Sequence, residues 1–199
     1  MFTGIVQEIG TVAKVERPNG LIRLTVTAPH TSARVQPMES VAIHGVCLSA
    51  VSVREPSITF ELVGETQQVT TLGRLRQGAR VNVEPSLTLT DRLNGHVVLG
   101  HVDGTAVVTK RRELPKELVL TFRVERRIRS WLVPKGPVAV DGVSLTVGTD
   151  VTRSTFSIHL IPETLRRTTL RALNVGDRVN IEVDYLAKLV RSRWTASNS

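Results

Sequence analysis

V-A-I-H-G-V-C-L-S (residues 41–49) returns 97 positions later as V-A-V-D-G-V-S-L-T (residues 138–146). Each copy is an apolar run, a turn dipeptide (His44-Gly45, then Asp141-Gly142) and a second apolar run, the pattern of a β-hairpin with a two-residue turn. The spacing is close to half of the 199-residue chain, so the pattern implies two copies of one domain. The copies differ where chemistry is carried, with Cys47 in the first and Ser144 in the second. A duplicated fold with unlike groups at matching positions can hold two similar ligands and treat them differently.

Working outward, the duplication spans both halves. Ile58-Thr59-Phe60-Glu61-Leu62 is echoed by Phe156-Ser157-Ile158-His159-Leu160, and Thr70-Thr71-Leu72 by Thr168-Thr169-Leu170. Gly78-Ala79-Arg80-Val81-Asn82-Val83-Glu84 returns as Gly176-Asp177-Arg178-Val179-Asn180-Ile181-Glu182, and Gly4-Ile5-Val6 more faintly as Gly100-His101-Val102. Within each half, short alternating stretches separated by turn signals predict about six strands and little helix. The first is expected along the stretch from Met1 to Val12. The fold class is therefore all-β: two tandem six-stranded antiparallel Greek-key barrels, over residues 1–94 and 95–184, with a polar linker at 85–94. Closure into barrels removes exposed sheet edges. Over residues 185–199 the apolar positions Leu186, Leu189, Val190 and Trp194 follow a helical period. A helix this short needs a partner, either its own barrel or a neighbouring subunit.

Composition narrows the function. A hydrophobic fraction of 41% and strand-length apolar runs fit a globular protein with no membrane partner, and the start lacks a signal-peptide pattern, so a cytoplasmic location is expected. One cysteine excludes an internal disulfide or a cysteine-based zinc site. His30, His44, His96, His101 and His159 lack metal-ligand spacing, so no metal is expected. The net charge of +8 raises the question of nucleic acid, but the basic residues are dispersed and aromatics make up only 4%. The charge reads as a solvated face.

The start M-F-T-G-I-V, G-H-V-V-L-G-H-V-D-G-T-A (residues 95–106), D-G-V-S-L-T-V (141–147) and L-I-P-E-T-L-R-R-T-T-L (160–170) together resemble the alpha-chain type of the riboflavin synthase family. The resemblance implies dismutation of two 6,7-dimethyl-8-ribityllumazine molecules to riboflavin and a pyrimidinedione, with no cofactor. It also implies a homotrimer in which the N-barrel of one subunit meets the C-barrel of the next, an association with lumazine synthase, and a helix partnered by another subunit. Carried over, Gly4, Ile5, Val6, Cys47, Leu48 and Ser49 line the N-barrel pocket, with Glu61, Leu62, Val63, Gly64, Glu65 and Thr66 at the pteridine edge. Gly100, His101, Val102, Ser144, Leu145, Thr146, Ile161, Pro162, Glu163, Thr164, Leu165 and Arg166 line the C-barrel pocket, and Lys135 reaches the neighbour's ligand. Phe2, Ser40, Ser144 and Asp184 match positions around the site.

His101 is the first choice for proton transfer, since an imidazole titrates near neutrality. Cys47 is either a nucleophile or a wall residue, and Asp184 either a site carboxylate or a helix cap. His96 reads as structural. His44, Ser49, Ala50, Asn94 and Leu99 depart from the family pattern, Leu99 replacing a small and often hydroxylated residue. Two other readings stand beside catalysis: a lumazine- or flavin-binding antenna without chemistry, and a basic barrel that binds nucleic acid.

Overall fold

The computed structural model describes residues 1–196, with side chains described through residue 190. The N-terminal half forms β1 (Glu8–Glu16), β2 (Ile22–Thr27), β3 (Ser40–Ile43), β4 (Val46–Arg54), β5 (Ser57–Leu62) and β6 (Arg80–Pro85), a closed barrel in the order β1-β2-β5-β4-β3-β6. The C-terminal half forms β7 (Gly104–Leu114), β8 (Glu117–Arg123), β9 (Pro137–Val140), β10 (Val143–Thr146), β11 (Thr155–Leu160) and β12 (Arg178–Val183), in the order β10-β9-β12-β7-β8-β11. Both are the same cyclic arrangement. In each, three hairpin-connected strands are followed by a fourth that returns beside the first of them, which is the Greek key.

The second sheet is nearly closed, open at one seam. Its end strands β10 and β11 meet only through the bridge between Val147 and Ile158 and the Gly148 N–H donated to Ser157 O at 2.7 Å. The reason is local: β4 runs for nine residues, whereas β10 stops after four, before an irregular stretch at Gly148, Thr149 and Asp150.

Short helices connect the strands: α1 (Pro29–Ser32), α2 (Gly64–Val69), α3 (Arg126–Arg129) and α4 (Pro162–Arg167), with α5 (Tyr185–Ala196) at the end. Strand alternation places Ile22, Leu24, Val26, Ile58, Phe60 and Leu62 inside the first barrel. Phe122 and Phe156 stack inside the second, their ring centroids 5.3 Å apart. Leu186 and Val190 on α5 are 62% and 72% exposed, so the stripe does not pack on its own barrel there. Trp194 and residues 197–199, the remainder of the expected helical tail, lie outside the described side chains and residues. Among the described residues no helix is long and apolar enough to cross a membrane.

The two barrels meet through their hairpin turns. Both are turns with positive φ at both central residues, His44 (47°) and Gly45 (77°), then Asp141 (45°) and Gly142 (76°). They press against one another so closely that a Cβ on Gly45 would stand 2.5 Å from Gly142 N, and one on Gly142 2.6 Å from Gly45 N. Two buried asparagines lock this contact reciprocally. Asn82 Nδ2 donates to Asp141 O (2.9 Å) while its Oδ1 accepts from Thr169 N (2.8 Å). Asn180 Nδ2 donates to His44 O (2.9 Å) while its Oδ1 accepts from Thr71 N (2.7 Å). An Asn offers both an acceptor and donors in one plane, which a pseudo-twofold crossing of backbones requires.

Either Asn82→Ala or Asn180→Ala leaves a buried carbonyl and a buried N–H without partners, and should cost about 2–4 kcal/mol. Chemical denaturation checks this, and Asn82→Asp, which keeps the acceptor but lacks the amide donor, should also destabilise.

Candidate active site

The residues before β1 and before β7 do not continue their strands, although the first was expected to begin at residue 1. They form two straps. Phe2 and Val98 pair antiparallel, with Phe2 N donating to Val98 O at 2.7 Å and Val98 N to Phe2 O at 3.1 Å. Each strap then leans onto the opposite barrel: Ser144 N donates to Gly4 O (2.7 Å), and Cys47 N donates to Gly100 O (3.0 Å). Glycine is required at both points, because a Cβ on Gly4 would stand 2.7 Å from Ser144 Cβ and one on Gly100 2.6 Å from Cys47 Cβ. Val6 lies in the core of the C-barrel, and Val102 packs against that of the N-barrel.

This corrects the expected grouping. Gly4, Ile5 and Val6 belong with Ser144 at the C-barrel, and Gly100, His101 and Val102 with Cys47 at the N-barrel. The expected units, residues 1–94 and 95–184, are interlocked in space. Nothing in strand periodicity reports such an exchange, because it is set by contacts between halves.

Two carboxylates anchor the straps. Glu84 Oε1 accepts from Thr3 N (2.7 Å) and Thr3 Oγ1 (2.8 Å), and its Oε2 from Gly4 N (3.1 Å). Glu182 Oε1 accepts from Leu99 N (2.7 Å) and its Oε2 from Gly100 N (2.9 Å). Burial pushes both carboxyls up from the usual range, and the N–H donors oppose it. Leu99 matches Thr3, and its apolar side chain gives Glu182 one donor fewer than Glu84 has. Sequence reading missed both glutamates as anchors, although their repetition in V-N-V-E and V-N-I-E was visible.

At the C-barrel mouth His96 Nδ1 lies 2.7 Å from Ser144 Oγ. The approach depends on Gly95, where a Cβ would stand 2.1 Å from Thr3 O and 3.0 Å from Ser144 Oγ. Burial lowers the His96 pKa from its ordinary value, while the Asp184 carboxylate acts in the opposite direction. In the Nε2–H tautomer Nδ1 of the neutral imidazole accepts a hydrogen bond from the Ser144 hydroxyl, leaving the Ser144 oxygen a better acceptor toward the mouth. His96, read from sequence as structural, is thus joined to an expected site residue. Asp184 also caps α5, its Oδ1 accepting from Leu186 N at 3.2 Å. At the N-barrel mouth Cys47 is half-buried and His101 exposed.

The other expected residues occupy varied environments. Phe2 and Leu62 are fully buried and Leu48 nearly so; Phe2 packs with Ala42, Val98 and Ala139 in the wall behind Cys47. Ser40 pairs with Ser49 across β3 and β4, on the same face as the Ala42–Cys47 pair and two residues along from it. Glu61 is held in an ion pair at 2.7 Å with Arg23, its partner across the β2–β5 ladder. Val63, Gly64 and Glu65 are exposed and Thr66 half-buried at the start of α2. Ile161, Pro162, Thr164 and Leu165 occupy the matching corner at α4, where Arg166 and Arg167 both pair with Glu163 and hold its carboxyl below the usual range. Thr146 and Lys135 are exposed, Leu145 half-buried.

The lumazine binding domain model matches the chain twice, over residues 3–86 and 99–184. The chain is 42% identical over 190 residues to the riboflavin synthase of Chlamydia pneumoniae, covering 95% of this chain and 92% of that protein. The chain belongs to the riboflavin synthase family. Other relatives are the riboflavin synthase of Mycobacterium tuberculosis (strain H37Rv), 41% identical over 194 residues, covering 96% of both proteins, and that of Escherichia coli (strain K12), 38% over 186 residues, covering 92% of this chain and 87% of that protein. The fold of this family member is also that of LumP complexed with riboflavin, with a TM-score of 0.86 and 22% identity over 92% of this chain and 99% of that one.

The electrostatics of His96 give a direct check. The fold favours the neutral imidazole, so this residue's contribution to stability is full above the unfolded value near pH ~6.5. That contribution is lost as pH falls through the lower folded pKa. An NMR titration should find His96 below the ordinary histidine value, and Asp184→Asn should move it lower still; a His96 pKa above the ordinary value would contradict the burial account.

Proposed function

We propose that the chain catalyses the riboflavin synthase reaction, transferring a four-carbon unit between two 6,7-dimethyl-8-ribityllumazine molecules to give riboflavin and 5-amino-6-ribitylaminopyrimidinedione. The observation that carries this reading is the inequality of two otherwise matched mouths: Cys47 with the strap of His101 at one, Ser144 with His96 and the strap of Ile5 at the other. Two identical substrates must take opposite roles, one as donor and one as acceptor. Matched pockets with unlike walls suit that demand. The relatives named riboflavin synthase, at 38–42% identity, support the same reaction.

The chemistry asks little of the protein beyond holding and proton handling. The methyl group on lumazine C7 is acidic because its anion spreads over the pteridine. The atoms of two lumazines equal those of the two products, so the transfer is redox-neutral overall. Stacking two rigid rings converts a bimolecular encounter into a local step, and a positioned imidazole moves the protons. His101 is assigned to proton transfer at the N-barrel mouth, and the Ser144–His96 pair to the C-barrel mouth. Cys47 contributes either as a nucleophile at C7 or as part of the wall.

The same reading gives a homotrimer. Each active site then lies between the N-barrel of one subunit and the C-barrel of the next, with the exposed Leu186 and Val190 of α5 covered by assembly. It also gives a cytoplasmic enzyme that takes its substrate from lumazine synthase, with which it associates.

Purified protein mixed with the lumazine should develop riboflavin fluorescence, one riboflavin per two lumazines consumed. Tight binding with no product would replace the enzyme by a lumazine or flavin antenna. His101→Gln should lower turnover by about 10²-fold or more, with lumazine affinity nearly retained; unchanged turnover removes it from the mechanism. Deleting residues 186–199 should give monomers of little activity, measured by ultracentrifugation and the same assay, whereas a fully active monomer would refute the shared site.

A further inference from the structure

The strap that carries His101 is tied to the end of the chain, and its counterpart is not. Asp103 N donates to Ile181 O (2.8 Å) just as Gln7 N donates to Val83 O (3.0 Å), so the two backbones are held alike. Their side chains differ. Gln7 is exposed and its Nε2 folds back onto Ile5 O (3.1 Å). Asp103 Oδ2 instead accepts from Val183 N (2.8 Å) and lies 2.6 Å from Lys188 Nζ. The side chains of this ion pair are only 22% and 12% exposed, which makes it less screened than the surface pairs of the barrels.

Lys188 stands one helical turn beyond Asp184, whose carbonyl accepts from Lys188 N at 3.2 Å. That spacing returns Lys188 toward the end of β12, with its ammonium 5.9 Å from the Trp131 ring centre. His101 and Val102 are consequently pinned from both sides by consecutive residues of one strand. Glu182 holds Leu99 N and Gly100 N on one side; Ile181, Val183 and Lys188 hold Asp103 on the other.

We propose that Lys188 and Asp103 are positioning residues for His101, the ion pair transmitting the docking of the C-terminal helix to the strap that presents this imidazole at the N-barrel mouth. The helix thereby acts on catalysis from within its own subunit, in addition to any part in assembly. The inference rests on the reading of His101 as the proton-transfer group. Removing the ammonium leaves the Asp103 carboxylate with Val183 N–H alone in a poorly solvated place, and the strap shifts to regain solvent.

The test uses the full chain with Lys188→Met, which keeps the apolar stem over Trp131, together with Lys188→Arg, Asp103→Asn and the double variant Asp103→Asn/Lys188→Met. Lys188→Met and Asp103→Asn should each lower kcat about tenfold, since small misplacements of a reacting group are costly. KM should stay within about twofold, Lys188→Arg should retain turnover, and the double variant should be no worse than either single one. The His101 imidazole resonances should move in Lys188→Met while those of His159, paired with Glu117 on the outer face, stay in place. Unchanged kcat in both single variants, a loss confined to KM, losses that multiply in the double variant, or an unmoved His101 resonance would each overturn the proposal. If Lys188→Met does not fold, Asp103→Asn decides, because its remaining side-chain oxygen still accepts from Val183 N. Absence of riboflavin from the unmodified chain would count against the proposed function, while the resonances still report whether the tie exists.

Discussion

Everything in the molecule is referred to the contact between two tight turns. Gly45 and Gly142 let two backbones touch without side chains between them, and the distance they set is fixed by the reciprocal bonds of Asn82 and Asn180. Because those asparagines also take the N–H groups of Thr169 and Thr71, the contact orients the segments that follow α4 and α2 as well as the turns. The straps could not lie across to the opposite hairpins if the barrels stood further apart. A backbone contact thus governs the site through geometry alone.

The turn residues themselves carry an inequality that the asparagines do not. Asp141 Oδ1 accepts from Asn180 N at 2.7 Å, whereas His44 meets Asn82 N only at 3.4 Å through Nδ1 and places Nε2 toward Arg80 O at 3.2 Å. Burial drives the Asp141 carboxyl above the usual range, and the nearby His44, with Nδ1 3.8 Å from Oδ2, acts against that. His44 adopts the same left-handed conformation as Asp141, one that Asn, Asp and His adopt more readily than other side chains.

Much of this fold was legible in the chain. The two turn dipeptides, the alternation in Ile22 to Val26 and Ile58 to Leu62, and the repeated V-N-x-E blocks specify strands, hairpins and duplication, because each is a local pattern of burial and turn chemistry. Other features depended on contacts between distant segments. The strap exchange is invisible locally, since Gly4 and Gly100 read as part of an alternating strand until Glu84 and Glu182 withdraw their N–H groups from any sheet. His96 was passed over for a similar reason. Its significance lies in the 2.7 Å approach to Ser144, 48 residues away, which Gly95 permits.

The exchange of straps also says something about how such a chain could arise. Val6 completes the packing of the other barrel, and Val102 returns the arrangement, so neither barrel is filled by residues that immediately precede it. A solitary ancestral unit with the same strap would have left its own end uncovered and found the missing piece only on a twin. Two copies joined in one polypeptide inherit that embrace with the partner guaranteed. Each side is then free to diverge, and Cys47 can part from Ser144 while the union between them is kept.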